Sequence, residues 1–284
     1  MKAPFHGAAL FAALLAISAG AQSNPTDRAR NLPREPFHIM GNLYYVGASD
    51  VTAFLITSAH GSIVLDGGFA ETAPQILANI RKLGFDPKDV KWLLNSHAHS
   101  DHAGGLAELK RATGAQVAAS AGDAQQLQRG GLHDPDFADR FLFPAVRPDR
   151  ILHDGDTVTV GDATMTAHIT PGHTHGCTTW TMPVHDQGRT YQAVFVCSVS
   201  IVAARVTPLK EEYERSFGIL RGLPANLFFG SHGIFFDLDG KARRLAAGET
   251  PNPFLDGKGY LEYLDQSEAA FRKKLKEEAA ATGH

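Results

Sequence analysis

The chain has 284 residues, 43% of them hydrophobic and 20% charged, which are ordinary globular proportions with enough apolar material for a sizeable core. A net charge of −3 excludes the basic excess with which proteins neutralise nucleic-acid phosphates, so a monomer acting on a small molecule is expected, without nucleic acid. Two cysteines, Cys177 and Cys197, are too few for a disulfide scaffold and too far apart for a zinc knuckle.

Lys2 and His6 precede an apolar run, Gly7 to Ile17, which ends in Ser18-Ala19-Gly20-Ala21-Gln22 with small residues where a signal peptidase reads. Residues 1–21 are therefore read as a cleaved secretory signal that directs the chain to the periplasm. The run falls well short of the ~20 residues a membrane span needs, and no later stretch could span a bilayer. Residues 22–36 form a Pro- and Arg-containing arm without periodicity, expected to wrap the surface or to be partly mobile.

Short strands are expected at Leu43 to Val46, Ala53 to Ile56 and Ser62 to Asp66, the last closed by Gly67-Gly68. Ala73, Ile76, Leu77, Ile80 and Leu83 recur at helical spacing, and Gly84 stops that helix. Val90 to Leu94 reads as a buried strand that runs into Asn95-Ser96-His97-Ala98-His99-Ser100-Asp101-His102, and a helix is expected over Gly104 to Thr113. Downstream come a helical stretch at Gly122 to Gln128 and a Gly- and Asp-rich loop from Gly130 to Pro148. Strands follow at Thr157 to Val160, Ala163 to Ile169, Thr178 to Met182 and Tyr191 to Val196, then a helix near Leu209 to Arg221, a strand at Asn226 to Phe229 and a last helix at Leu261 to Ala280. This order suggests two sheets packed face to face with helices on both outer faces. A hairpin turning at Asp186-Gln187-Gly188 would bring the cysteines nearly opposite each other. A bridge there would be strained, so two buried thiols are expected.

The chemistry sits in H-x-H-x-D-H. If that loop is extended, alternate side chains share a face, so His97 and His99 converge on one metal while Asp101 and His102 turn toward a second point. Neutral imidazoles and a carboxylate are donors that zinc accepts. Small neighbours such as Ala98, Ser100 and Ala103 leave room, and Gly104-Gly105 is read as a sharp turn into the next helix. His173 in Pro171-Gly172-His173-Thr174 and His232 in Gly230-Ser231-His232-Gly233 also lie just past strands, beside glycines. Together these residues offer three ligands to each of two Zn2+ ions and leave positions open for water.

The six-residue motif, the later P-G-H-T and the late G-S-H-G together resemble the metallo-β-lactamase superfamily over essentially the whole mature chain. The resemblance implies an α/β fold, a four-layer αβ/βα sandwich over residues 37–284 with two αβ halves and a two-zinc site at one edge. It assigns His97, His99 and His173 to the first zinc, and Asp101, His102 and His232 to the second. Glyoxalase II, lactonases and nucleases share this fold, so the fold alone does not select the substrate.

Discrimination comes from Phe195-Val196-Cys197-Ser198-Val199-Ser200. Most hydrolases of the fold place a metal-bridging aspartate at this strand end, but here no acid lies between Asp186 and Glu211. The first zinc β-lactamase subclass has a ligand cysteine there, and the third has a serine. Ser198 matches the third, and Cys197, one position early, would face the other side of a strand. Pro36-Phe37-His38-Ile39, Asn42 to Gly47 and Pro251-Asn252-Pro253-Phe254 are similar to that subclass too, whereas His175 stands where many relatives have proline. The implied reaction is hydrolysis of the β-lactam amide of penicillins, cephalosporins and carbapenems by a hydroxide that zinc generates near neutral pH and Asp101 orients. Ser198 and Ser200 would anchor the substrate carboxylate or be ordinary strand-end serines. Phe137, Phe141 and Phe143 would wall the site or join the core. The alternatives are a periplasmic lactonase or thioesterase on the same metals, and a non-catalytic zinc-binding protein.

Overall fold

Seven short strands build the first sheet, in the order of the chain: β1 (Phe37–Met40), β2 (Leu43–Tyr45), β3 (Phe54–Ser58), β4 (Gly61–Leu65), β5 (Val90–Leu94), β6 (Gln116–Ser120) and β7 (Arg150–Leu152). The computed structural model describes residues 25–282, so the expected secretory signal lies outside the described residues. β1 to β4 pair antiparallel, and β4 to β7 run parallel. β4 is buried on both faces from Ser62 to Leu65, which explains why it reads as a continuous apolar run rather than an alternating one.

The second sheet holds β8 (Thr157–Val160), β9 (Ala163–Ile169), β10 (Thr178–Asp186), β11 (Arg189–Val196) and β12 (Leu227–Gly230). β8 to β11 form an antiparallel meander, and β12 lies parallel to β11. The β10–β11 hairpin turns through Gln187 and Gly188, with φ of +47° and +76°, the left-handed pair that a two-residue hairpin turn requires.

Helices cover the outside of each sheet. α1 (Pro25–Arg30) precedes β1; α2 (Ala73–Lys82), α3 (Ser100–Ala103), α4 (Leu106–Thr113) and α5 (Ala121–Arg129) belong to the first half. α6 (Lys210–Gly222), α7 (Leu238–Ala246) and α8 (Gly257–Thr282) belong to the second. Ile76, Leu77 and Ile80 of α2 and Leu106 and Leu109 of α4 bury against Leu55, Val64, Leu93 and Val117 on the outer face of the first sheet. The inner faces meet through Phe54, Ile63, Leu65 and Leu94 against Met165, Trp180, Met182 and Phe195, and the same cluster continues to Tyr213, Phe217 and Phe271 of α6 and α8. The layers are therefore helix, sheet, sheet, helix, as the sequence suggested.

One expectation needs correction and another is narrowed. Cys177 and Cys197 form a disulfide rather than two thiols. Both lie one residue outside the β10–β11 strands, where the ladder no longer dictates their separation, and their Cα atoms stand 5.8 Å apart, inside the usual range for a bridge. The arm, for its part, lies along the surface, the first of its two expected behaviours, and begins with a helical turn. Pro25 to Arg30 is helical, the Arg30 carbonyl accepts the amides of Asp50 and Val51, and the Leu32 carbonyl accepts that of Ser49.

Candidate metal centre

Every expected donor lies just past the C-terminal end of a strand, at one edge of the sandwich. β5 delivers His97 and His99, β9 delivers His173, β11 delivers Ser198 and Ser200, and β12 delivers His232. The chain stays extended through His99 (φ −92°, ψ 156°) and then makes the single helical turn of α3. That turn brings Asp101 and His102 to His232 while His97 stays within 4.8 Å of both, so the motif can serve two adjoining points.

At the first point the donor atoms of His97, His99 and His173 lie within 4.8 Å of one another. At the second, His102 Nε2 is 3.2 Å from His232 Nε2 and 3.4 Å from Asp101 Oδ2, and His232 Nε2 is 3.6 Å from the same oxygen. Three ligands held at about 2.0–2.1 Å around a tetrahedral ion stand roughly 3.4 Å apart, so this triad fits a metal of that size. Without a cation between them, one of the two facing imidazole nitrogens carries the proton and donates to the other. His97 Nε2 is buried without a hydrogen-bond partner, an orphan of the kind that a metal satisfies.

The ring nitrogens pointing away are held. His173 Nδ1 donates to the Ser200 carbonyl (2.8 Å) and His232 Nδ1 donates to Asp50 Oδ2 (3.1 Å), which fixes both tautomers with the Nε2 lone pair turned inward. Burial, reinforced by the neighbouring imidazoles, depresses His97 well below the ordinary histidine range. It lowers His102 to about 4, against the opposing pull of Asp101, and His173 to about 3. Burial opposes ionisation of Asp101, but His102 and His232 outweigh it and hold the carboxyl well below its usual range. These directions favour neutral His97, His102 and His173 beside an ionised Asp101, the protonation states that metal binding requires.

A cavity of about 570 Å³ opens over the two triads. Phe137 and Phe141 line it, with the Phe137 ring 5.1 Å from His99, while Phe143 is buried in the core behind. Ser198 and Ser200 share a hydrogen bond between hydroxyls (2.8 Å); Ser200 faces the cavity and Ser198 is buried beneath it. His175 is exposed, pairs with Glu212 (2.8 Å) and takes no part in the cluster. Gly104 and Gly105 adopt ordinary negative φ, −57° and −82°, so they do not serve a sharp turn. Their role is close approach: a Cβ on Gly105 would collide with the Gly67 carbonyl oxygen.

Four supporting residues went unseen in the sequence. Asp123, fully buried, accepts the amides of Ala98 and Gly176 and the hydroxyl of Thr174, each at 3.0 Å, and so ties the H-x-H loop to the loop carrying His173. Asp66, in the left-handed region (φ +65°), accepts the Ser96 amide (2.7 Å) and lies 3.7 Å from His102 Nδ1. Burial pushes its carboxyl up to about 7. Asp50 holds His232, and Arg30 reaches Asp50, Asp101 and His232 from the arm. Only Asp66 had a sequence signal, an acid at a strand end followed by two glycines.

The comparisons with known proteins agree with this geometry. Residues 46–232 match the family model of the metallo-β-lactamase superfamily. The native FEZ-1 metallo-β-lactamase from Legionella gormanii is 38% identical, with a TM-score of 0.83 over 87% of this chain and 97% of that one. The class B3 di-zinc metallo-β-lactamase LRA-12 from an Alaskan soil metagenome is 34% identical, with a TM-score of 0.81 over 89% of this chain and 97% of that one. A hydroxyacylglutathione hydrolase of Rhodospirillum rubrum is 35% identical over 113 residues, 40% of this chain and 35% of that protein. The match thus spans about a third of the curated relative's length. The chain belongs to the metallo-β-lactamase superfamily, on the side of its third β-lactamase subclass.

Proposed function

We propose that the protein is a monomeric periplasmic β-lactamase that carries two zinc ions and opens the amide of penicillins, cephalosporins and carbapenems. The observation that carries this reading is the end of β11. No carboxylate stands there, Cys197 is locked in a disulfide and is no thiolate ligand, and a hydrogen-bonded serine pair borders the cavity instead. The likeness to class B3 enzymes over nearly the whole chain supports it.

His97, His99 and His173 would hold the first zinc, and Asp101, His102 and His232 the second. Bound there, the ions supply Lewis acidity toward the lactam and a nucleophile at neutral pH. Asp101, kept ionised, would orient the attacking water by accepting a hydrogen bond from it. Ser200, backed by Ser198, donates to the substrate carboxylate, and Phe137 and Phe141 shield the reacting amide from bulk solvent.

Hydrolysis of one penicillin, one carbapenem and a chromogenic cephalosporin, each with and without a chelator, tests the proposal. Chelator-sensitive turnover of lactams is expected. The second reading, a thioesterase or lactonase on the same metals, draws on the local likeness to hydroxyacylglutathione hydrolase. Turnover of a glutathione thioester or an acyl-homoserine lactone, with lactams left intact, would establish that reading instead. Zinc bound in stoichiometric amount with none of these substrates turned over would leave a zinc-binding protein.

A further inference from the structure

Arg30 places a permanent positive charge on two of the three donors of the second triad. Its Nη2 donates to Asp101 Oδ2 (3.1 Å) and stands against the His232 ring, 2.6 Å from Nε2 and 2.7 Å from Nδ1, and its Nε donates to Asp50 Oδ2 (3.2 Å). The main chain around it is fastened down. The Arg30 carbonyl accepts the amides of Asp50 (3.0 Å) and Val51 (3.1 Å), the Ser49 hydroxyl donates to the Ala29 carbonyl (3.0 Å), and Thr72 Oγ1 donates to Asn31 Oδ1 (2.7 Å). With the backbone pinned on both sides, the side chain is directed into the cavity, where Arg30 is the sole lysine or arginine among the described lining residues.

A guanidinium does not deprotonate in a protein, so this charge cannot be discharged to make way for an ion. His232 Nε2 is the lone pair left when Nδ1 donates to Asp50, and Asp101 Oδ2 is the oxygen nearest both imidazoles of the triad. These are the atoms that a metal would need. We propose that Arg30 is a built-in competitor for the second metal. Guanidinium and metal ion take Asp101 and His232 in turn, and the second ion binds only by displacing Arg30, which then remains paired with Asp50.

Nothing comparable acts on the first triad. His173 is backed by the Ser200 carbonyl and His99 faces Asp134 at 3.9 Å, so the neighbouring groups there are neutral or negative. The two sites should accordingly fill in order, the first at low free zinc and the second only at higher concentration. This rests on the two-metal reading of the site.

Zinc titration of the full chain against a chromophoric chelator, fitted to two stepwise constants, tests the idea in the wild type and in Arg30→Ala and Arg30→Lys. In Arg30→Ala the second constant is expected to tighten at least tenfold while the first stays within twofold. Arg30→Lys, which keeps the charge but loses the planar fork, should fall between. If Arg30 merely held the arm in place, its removal would weaken the second constant or leave it alone, and either result overturns the proposal. A chain that binds at most one ion in all three forms overturns the two-metal reading and this proposal with it. Two ions with unchanged constants overturn this proposal alone.

Discussion

His102 and His173 show how a buried histidine serves a metal and exposes the fold to acid. Burial lowers them to about 4 and about 3, whereas an open-chain imidazole titrates near 6.5. A depressed folded pKa gives stability that is complete above pH 6.5 and is lost as pH falls toward 4 and 3. Asp66 has the opposite sign: raised to about 7, it contributes stability that is present below about 4 and lost as pH rises through 7. Chemical denaturation of the metal-free protein between pH 8 and 4 should therefore show a net loss on acidification. Asp66→Asn should make that loss steeper; an unchanged slope would refute the assignment. Asp123 is the other residue to test. Replacing it with alanine strips three donors of a buried acceptor and should cost about 3 kcal/mol, read as a lower denaturation midpoint, together with weaker zinc binding. Neither acid belongs to a recognisable motif. A lone aspartate in a sequence looks like solvated surface, and only the folded loops reveal that its partners are backbone amides from remote segments.

Strand and helix periodicity was legible where an element has enough residues to repeat. β5, β8, β9 and the helices α2 and α5 fall within a residue or so of their expected bounds. β6 and β7 escaped because Gln116–Ser120 is rich in small residues and Arg150–Leu152 has only three. α7 was hidden by its charged sequence, since Leu238 is its one large, fully buried apolar residue. The H-x-H-x-D-H donors were legible because metal chemistry restricts residue type and spacing together, whereas the helical turn that divides them was not. The glycine pair after the motif was noticed for the wrong reason. Gly105→Ala puts a methyl against the Gly67 carbonyl and should destabilise the protein by about 3 kcal/mol, visible in thermal unfolding, although its φ suits alanine. An alanine tolerated there at no cost would contradict the close approach of the two loops.

Across the whole molecule, the layer order followed from the run of elements, but the relation of the arm to the cavity did not. Residues 22–36 carry no hydrophobic pattern, and what holds the described part of the segment is hydrogen bonding to the β2–β3 connection, α2 and α7, which leaves no trace in side-chain periodicity. Among the described residues no helix is long and apolar enough to cross a membrane. The donors have a further consequence when traced to their sheets. His97, His99, Asp101 and His102 hang from the first sheet, and His173 and His232 from the second, so on the proposed ligand set each ion would rivet one half of the sandwich to the other. Raising free zinc to about 100 times a site's dissociation constant adds about 2.7 kcal/mol to the clamp. The unfolding temperature of such a protein is a gauge of the zinc around it, lower in a zinc-starved compartment than in a zinc-replete one.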